Sequence, residues 1–276
     1  MRLETGQVAV VTGGASGIGR AMVDSFAARG LTVVLADVEP GSLDRSVREL
    51  ADGGATAVGV AVDVSDAAAV SALAERVLSE LGRVDVLCNN AGIIAPRRPL
   101  WEHTPEDWRW TLDVNLLGVA NGIRAFVPAM IAARRGHVVN TASMAGLTTI
   151  PGGGNGAYSA SKHAVVGLSE TLRVELDEVA PEVGVTVLCP GPVPSRIHES
   201  SRNRPADLED TGPRSAPATT SSMTALTPVD ADVVGEQVVA AIEAGRMYVV
   251  TGPDVAAFAR ARVEGLLADL GATHPV

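Results

Sequence analysis

Seven short runs of β-branched and aliphatic residues recur along the chain: VAVVT (8–12), LTVVLAD (31–37), TAVGVAVD (56–63), VDVLCN (84–89), HVVNTAS (137–143), GVTVLC (184–189) and MYVVT (247–251). Most are apolar throughout rather than alternating, the pattern of strands covered on both faces. The segments between them, for instance 66–81 and 156–179, have the length of crossover helices. Strand–helix alternation of this kind predicts an α/β chain built on a doubly wound parallel sheet of about seven strands, with helices on both faces. One helix start is signed in detail. In HTPEDW, Thr104 can cap, Pro105 suits the first helical position, and Glu106 and Asp107 favour the positive end of the helix dipole.

With 276 residues, 46% of them hydrophobic, the chain can bury a full core. No linker separates two cores, so residues 1–276 read as a single domain. The stretch 195–228, rich in Ser, Thr, Pro, Arg and Asp, is too long for an ordinary connection and reads as a substrate lid. Acidic residues outnumber basic ones, 32 to 22, for a net charge of −10. That balance argues against a nucleic-acid partner, and the doublets Arg97-Arg98 and Arg134-Arg135 read as solvated ends of elements. Cys88 and Cys189 each end an apolar run and read as small core residues. No charged leader precedes the first strand, and no run approaches the roughly 18 apolar residues that span a membrane. A cytoplasmic protein without a membrane partner is expected.

The loop TGGASGIGR (12–20) follows the first strand and opens the first helix, where a phosphate cradle must sit. Its glycines, Gly13, Gly17 and Gly19, are spaced G-x-x-x-G-x-G rather than G-x-G-x-x-G. Glycines let the backbone approach a pyrophosphate, and the helix start offers unpaired N–H groups, Ser16 and Ile18 among them. Asp37 ends the second strand, placed to accept hydrogen bonds from the ribose of an adenosine. It also selects. A 2′-phosphate about 4 Å from Asp37 would cost roughly 4 kcal/mol per charge at an effective dielectric of 20, nearly three decades in affinity. Val38 supplies no compensating cation, although Arg20, Arg45 and Arg48 are near in sequence. NAD is the expected cofactor, with an NADPH-dependent ketoreductase as the alternative.

YSASK (158–162) places Tyr158 and Lys162 one helical turn apart, on a shared face. An ammonium about 5 Å from a phenol stabilises the phenolate by roughly two pKa units. Tyr158 can then exchange a proton with a substrate hydroxyl near neutral pH.

Six motifs now stand in order: Thr12 to Gly19, Asn89 to Gly92 (NNAG), Asn115, Ser143, Tyr158 to Lys162, and Pro190-Gly191. Together they resemble the short-chain dehydrogenase/reductase family over about residues 6–270, and the fold so implied is of the Rossmann type. The resemblance implies that Tyr158 is the catalytic acid/base and that Lys162 tunes it and binds the nicotinamide ribose. Ser143 would orient the reacting oxygen, and Asn115 would hold a water in a proton relay through Lys162. Asp63 and Val64 would contact adenine; Asn89, Ala91 and Gly92 would line the cofactor floor, although NNAG also reads as a brace within the sheet. Pro190, Val193 and Ser195 would close over the nicotinamide carboxamide. Two departures stand out. Ser143 precedes Tyr158 by fifteen positions, with PGGGN between them loosening a pocket wall, and Ser195 stands where the family usually has Thr.

The expected substrate is a secondary alcohol or ketone, hydrophobic or alicyclic, in a pocket walled by Leu147, Ile150, Pro192 and Ile197. The family resemblance also implies a homo-dimer or homo-tetramer through the helices near 105–132 and 156–179, with a final helix adding to assembly. None of the five histidines has metal-ligand spacing, so no metal is expected. His163 and His198 read as structural and solvated, and Trp101, Trp108 and Trp110 as core or subunit contacts. A non-catalytic sensor of the NAD/NADH ratio is the reading from a different class, opposed by the intact Asn115, Ser143, Tyr158 and Lys162.

Overall fold

The strands observed are β1 (Val8–Thr12), β2 (Thr32–Asp37), β3 (Ala57–Ala61), β4 (Val86–Asn89), β5 (Gly136–Thr141), β6 (Val183–Pro190) and β7 (Tyr248–Thr251). They belong to a computed structural model that describes residues 1–150, 152–208 and 226–273. All pair in parallel, in the order β3-β2-β1-β4-β5-β6-β7. The order reverses between β1 and β4, which opens a crevice at the carboxyl ends of those strands.

Among the described residues the helices are α1 (Gly17–Ala27), α2 (Pro40–Asp52), α3 (Ala67–Leu81), α4 (Pro105–Leu112), α5 (Gly118–Ala133), α6 (Gly156–Val179), α7 (Ala231–Ala244) and α8 (Pro253–Thr273). Alternate strand residues feed two separate cores. Ala9, Val11, Val33 and Leu35 pack with Met22, Phe26, Leu43 and Val238 under α1, α2 and α7. Val8, Val10, Val34 and Ala36 pack with Leu73, Phe126, Met130 and Leu176 under α3, α5 and α6. This is why the runs read as continuously apolar: every position meets a helix layer. Phe26 and Phe126 are wholly buried, one in each core, and truncating either to Ala would cost about 3–5 kcal/mol.

The edges of the expected strands shift. Val62 N donates to Asp37 O (3.0 Å), the last bond between these two strands, so the third strand ends at Ala61 and not at Asp63. Ser143 lies past the end of β5 and begins a single 3₁₀ turn, Met144–Gly146. The Thr104 start forms as expected: its hydroxyl accepts from Asp107 N (3.2 Å) while Asp107 Oδ2 accepts from Thr104 N (3.4 Å). Between α4 and α5 the chain widens into a π-turn, Asp113–Leu117, so Pro105–Ala133 runs as one helix. By length and composition alone that helix could cross a membrane, an 18-residue window of it reaching a mean hydropathy of 1.6, although polar residues such as Asn115, Asn121 and Arg124 interrupt any apolar run. Its apolar character serves the core: Val119, Phe126, Val127 and Met130 are buried against the sheet.

The stretch 195–228 is not uniformly irregular. Arg196–Asn203 forms 3₁₀ turns, kinked at Glu199, that pack back on the end of β2. The remainder of the expected lid, 209–225, lies outside the described residues.

Candidate active site

A cleft of about 1160 Å³, part of it open to bulk solvent, runs along the carboxyl ends of the strands. Gly13, Ser16, Gly17 and Ile18 from the first turn line it, with Asp37 and Val38 after β2, Asp63 and Val64 after β3, and Ala91 and Gly92 after β4. Thr141, Tyr158, Lys162, Pro190 and Ser195 close its other end.

The glycine spacing has a steric reason. Gly17 takes a left-handed φ of 53° at the first residue of α1, which a side chain would strain. A Cβ on Gly19 would lie 2.0 Å from Gly13 O, so only glycine lets the start of α1 lie on its own turn. Gly19 thus packs the cradle and does not line the cleft, as had been expected of it. Ser16 caps α1 without a side-chain bond, leaving the helix-start N–H groups to face the cleft. Thr12 Oγ1 accepts from Asn90 N (2.9 Å) and Ala91 N (3.0 Å), tying the turn after β4 to the end of β1.

Asp37 stands at the end of the cleft beside β2 and β3. Its Oδ2 accepts from Ala15 N (3.1 Å) and its Oδ1 from Glu39 N (3.1 Å). Burial pushes its pKa above the ordinary carboxylate value against those two bonds. Asp63 Oδ1 is held by Ser65 N (2.9 Å) and Ser65 Oγ (2.7 Å).

At the other end, Tyr158 and Lys162 share one face of α6, with Lys162 Nζ 5.7 Å from the centre of the Tyr158 ring. Lys162 Nζ donates to Thr141 O (2.8 Å). Burial pushes its pKa down to about 8. Ser143 stands by the Tyr158 hydroxyl, where it favours the phenolate, and its Oγ accepts from Ala145 N (3.1 Å). The expected lowering of the Tyr158 pKa is not met in the protein by itself. Burial raises it, outweighing the effect of Ser143, and the Lys162 ammonium is turned to a backbone carbonyl. Asn115 sits in the π-turn with no exposed surface. Its Oδ1 accepts from Ile93 N (2.8 Å), and its Nδ2 donates to Ile93 O (2.9 Å) and Ser161 Oγ (3.2 Å).

Several expected positions lie elsewhere. Asn89 is buried in β4 with its amide donating to Asn140 Oδ1 (2.9 Å), a brace within the sheet; its neighbour Asn90 lines the cleft. Val193 packs on the α1–α7 core, because the chain leaves Pro190 towards α7. Leu147 packs beside Val166 and Val187. Pro192 spends its carbonyl on Val229 N (2.9 Å) and does not line the cleft. Ile150 and Ile197 do adjoin Tyr158. Of the PGGGN run, Pro151 lies outside the described residues, and the rest is tied down: Gly153 O and Gly154 O accept from Arg97 Nε (2.9 Å) and Arg98 N (2.8 Å).

Arg98 is no solvated end. Its side chain is 11% exposed and faces buried Asp107 at 3.9 Å, beside His103 and Arg204. Arg204 lies over the ring of Trp110 (5.2 Å), and Trp110 lines the cleft. Sequence reasoning gave Trp110 to a core or a subunit contact, and at 3% exposure it is a core residue; its place on the cleft wall was not foreseen. A tryptophan on a helix face carries no local sign of which it does. Glu39, Arg196, Arg202 and Asn203 also line the cleft and were not foreseen.

Residues 7–206 match the family model described as short chain dehydrogenase. The chain is 39% identical over 252 residues to the 1-deoxy-11-beta-hydroxypentalenate dehydrogenase of Streptomyces arenae, covering 90% of this chain and 83% of that one. Among solved structures, a short chain dehydrogenase/reductase from Burkholderia phymatum in complex with NAD is 40% identical. It superposes with a TM-score of 0.89 over 98% of this chain and 97% of that one. A metagenomic short-chain oxidoreductase in complex with NADP is 32% identical, with a TM-score of 0.71 over 90% and 97%.

Proposed function

The chain belongs to the short-chain dehydrogenase/reductase family, and from that premise we propose that it is a cytoplasmic, NAD-preferring dehydrogenase of hydrophobic or alicyclic secondary alcohols. The observation that carries this reading is the meeting, in one cleft, of a glycine cradle, an acidic ribose site at Asp37 and the Tyr158–Lys162 pair. The cradle fits a pyrophosphate: Gly13, Ser16, Gly17 and Ile18 line the cleft at the start of α1, and no side chain caps the helix-start N–H groups, which are left for an anion.

Gly13, Ser16, Gly17, Ile18 and Asp37 would hold the pyrophosphate and adenosine ribose, and Asp63 and Val64 the adenine. Ala91, Gly92, Pro190 and Ser195 would line the nicotinamide half. When bound, the nicotinamide takes or returns a hydride, and its oxidised ring adds a positive charge. The protein handles the proton. Tyr158 Oη accepts it from the substrate hydroxyl, and the Ser143 hydroxyl holds the reacting oxygen in line. Burial alone opposes the phenolate, so Tyr158 becomes a competent base only with cations beside it, and the Lys162 ammonium is the one the chain supplies. Gly92 keeps the space between Asn115 and Lys162 open: a Cβ there would stand 3.3 Å from Asn115 Oδ1 and 3.4 Å from Lys162 Nζ. A water in that space would carry the proton onward.

Ile93, Trp110, Ile150 and Ile197 give the substrate end its apolar surface. The relative named as a hydroxypentalenate dehydrogenase supports an alcohol as substrate, and the NAD complex of the Burkholderia phymatum protein supports the cofactor. The reading places these functions on one domain, with 195–228 as the substrate lid. It also takes the enzyme as a homo-dimer or homo-tetramer, supported by exposed Leu117, Val174 and Val179 beside and on the large helices. A panel of alcohols with NAD, followed at the reduced-nicotinamide band, tests the reading. Turnover of small polyols alone would remove its hydrophobic part.

A further inference from the structure

The turns Arg196–Asn203 cross the mouth of the cleft. At one end, Ser195 Cβ lies 3.2 Å from where a Gly17 Cβ would stand. At the other, three side chains converge on Glu39. Arg202 approaches Glu39 Oε1 with Nε at 2.7 Å and Nη2 at 2.6 Å. Asn203 Nδ2 donates to the same oxygen at 3.1 Å, and Arg196 Nη1 reaches Oε2 at 3.4 Å. Burial works against ionisation of Glu39, yet the bonds from Asn203 and Arg202 outweigh it and hold the pKa down at about 2.

This knot sits where the cofactor's identity is read. Glu39 follows Asp37 by two residues and donates its backbone N–H to the Asp37 carboxylate (3.1 Å). Glu39, Arg196, Arg202 and Asn203 line the same cleft as Asp37 and Val38. Arg196 has a second carboxylate in Glu199 (3.0 Å), whereas Glu39 is the one carboxylate paired with Arg202 among the described residues. A guanidinium fork accepts a phosphate as readily as a carboxylate. Two such forks beside an adenosine ribose would make a 2′-phosphate site if they were not already filled.

We propose that Glu39 is a specificity-determining residue for the cofactor: by occupying Arg202 and Arg196 it masks an anion subsite that would otherwise take a 2′-phosphate. The proposal rests on the dinucleotide reading above. Asp37 excludes the phosphate by direct repulsion, and Glu39 excludes it by competing for the same cations.

The test is calorimetric titration of the full chain, at low ionic strength, with ADP and with 2′,5′-ADP. The proteins are wild type, Glu39→Gln, Glu39→Ala, and Glu39→Gln combined with Arg202→Gln. In both single variants the affinity for 2′,5′-ADP should rise about tenfold, while that for ADP stays within about threefold. The gain should vanish in the double variant. An unchanged ratio of the two affinities in both single variants, or a gain that survives Arg202→Gln, would overturn the masking. ADP binding to the wild type reports separately on the dinucleotide site; its absence would overturn both readings.

Discussion

Asn115 and Ile93 grip each other at both ends: Ile93 N donates to Asn115 Oδ1 at 2.8 Å, and Asn115 Nδ2 donates back to Ile93 O at 2.9 Å. The π-turn Asp113–Leu117 turns this side chain inward, and its third bond, to Ser161, fixes the residue next to Lys162. The loop after β4 and α6 are therefore set by one amide.

Replacing Asn115 by Leu leaves the Ile93 N–H and C=O buried and unpaired, at about 1–3 kcal/mol each. Thermal unfolding followed by circular dichroism should show a midpoint lower by several degrees, together with reduced kcat. A variant as stable as the wild type would mean that the loop satisfies itself without Asn115.

Asp37→Asn removes the charge facing a 2′-phosphate while keeping an acceptor for Ala15 N. The ratio of kcat/KM for NADP over NAD should rise by up to about a thousandfold, by the Coulomb argument at an effective dielectric near 20. No change in that ratio would show that the adenosine ribose lies away from Asp37.

Lys162 titrates near pH 8 in the folded chain, below its ordinary value of 10.5. Between those values the unfolded chain holds more protons, so this group makes stability rise with pH, by up to about 1.4 kcal/mol per unit. Urea midpoints measured from pH 8 to 10 should climb more steeply in the wild type than in Lys162→Met. Parallel curves would contradict the lowered value.

His137 behaves similarly at acid pH. It is 1% exposed, its Nε2 lies 2.7 Å from Thr186 Oγ1, and burial lowers its pKa from 6.5 to about 3. The unfolded chain binds the proton first, so stability is lost as pH falls below 6.5. His137→Gln should flatten the denaturation profile between pH 6.5 and 3, with equal slopes as the contrary result.

Much of this architecture was legible because its causes are local. Unbroken apolar runs such as Val8–Thr12 reveal two covered faces, and the reversal of strand order then dictates where a cleft opens. Tyr158 and Lys162 could be paired from helical spacing alone. What escaped lies far apart in sequence. Glu39 and Arg202 are separated by 163 positions, and nothing near either announces the other. Arg98 looked like a solvated end until the fold laid Asp107, itself paired with Arg204, against it. The direction of the Tyr158 shift was misread for a related reason, since spacing gives the distance to Lys162 but not the burial that opposes ionisation.

The central claim is that Tyr158 carries the proton while NAD carries the hydride. Its most direct test is absorbance at the reduced-nicotinamide band as wild type and Tyr158→Phe meet NAD and a bulky alicyclic secondary alcohol. The account predicts turnover by the wild type and a loss of about 10²–10⁴-fold in Tyr158→Phe, with NAD affinity retained. Equal rates in the two proteins would contradict it.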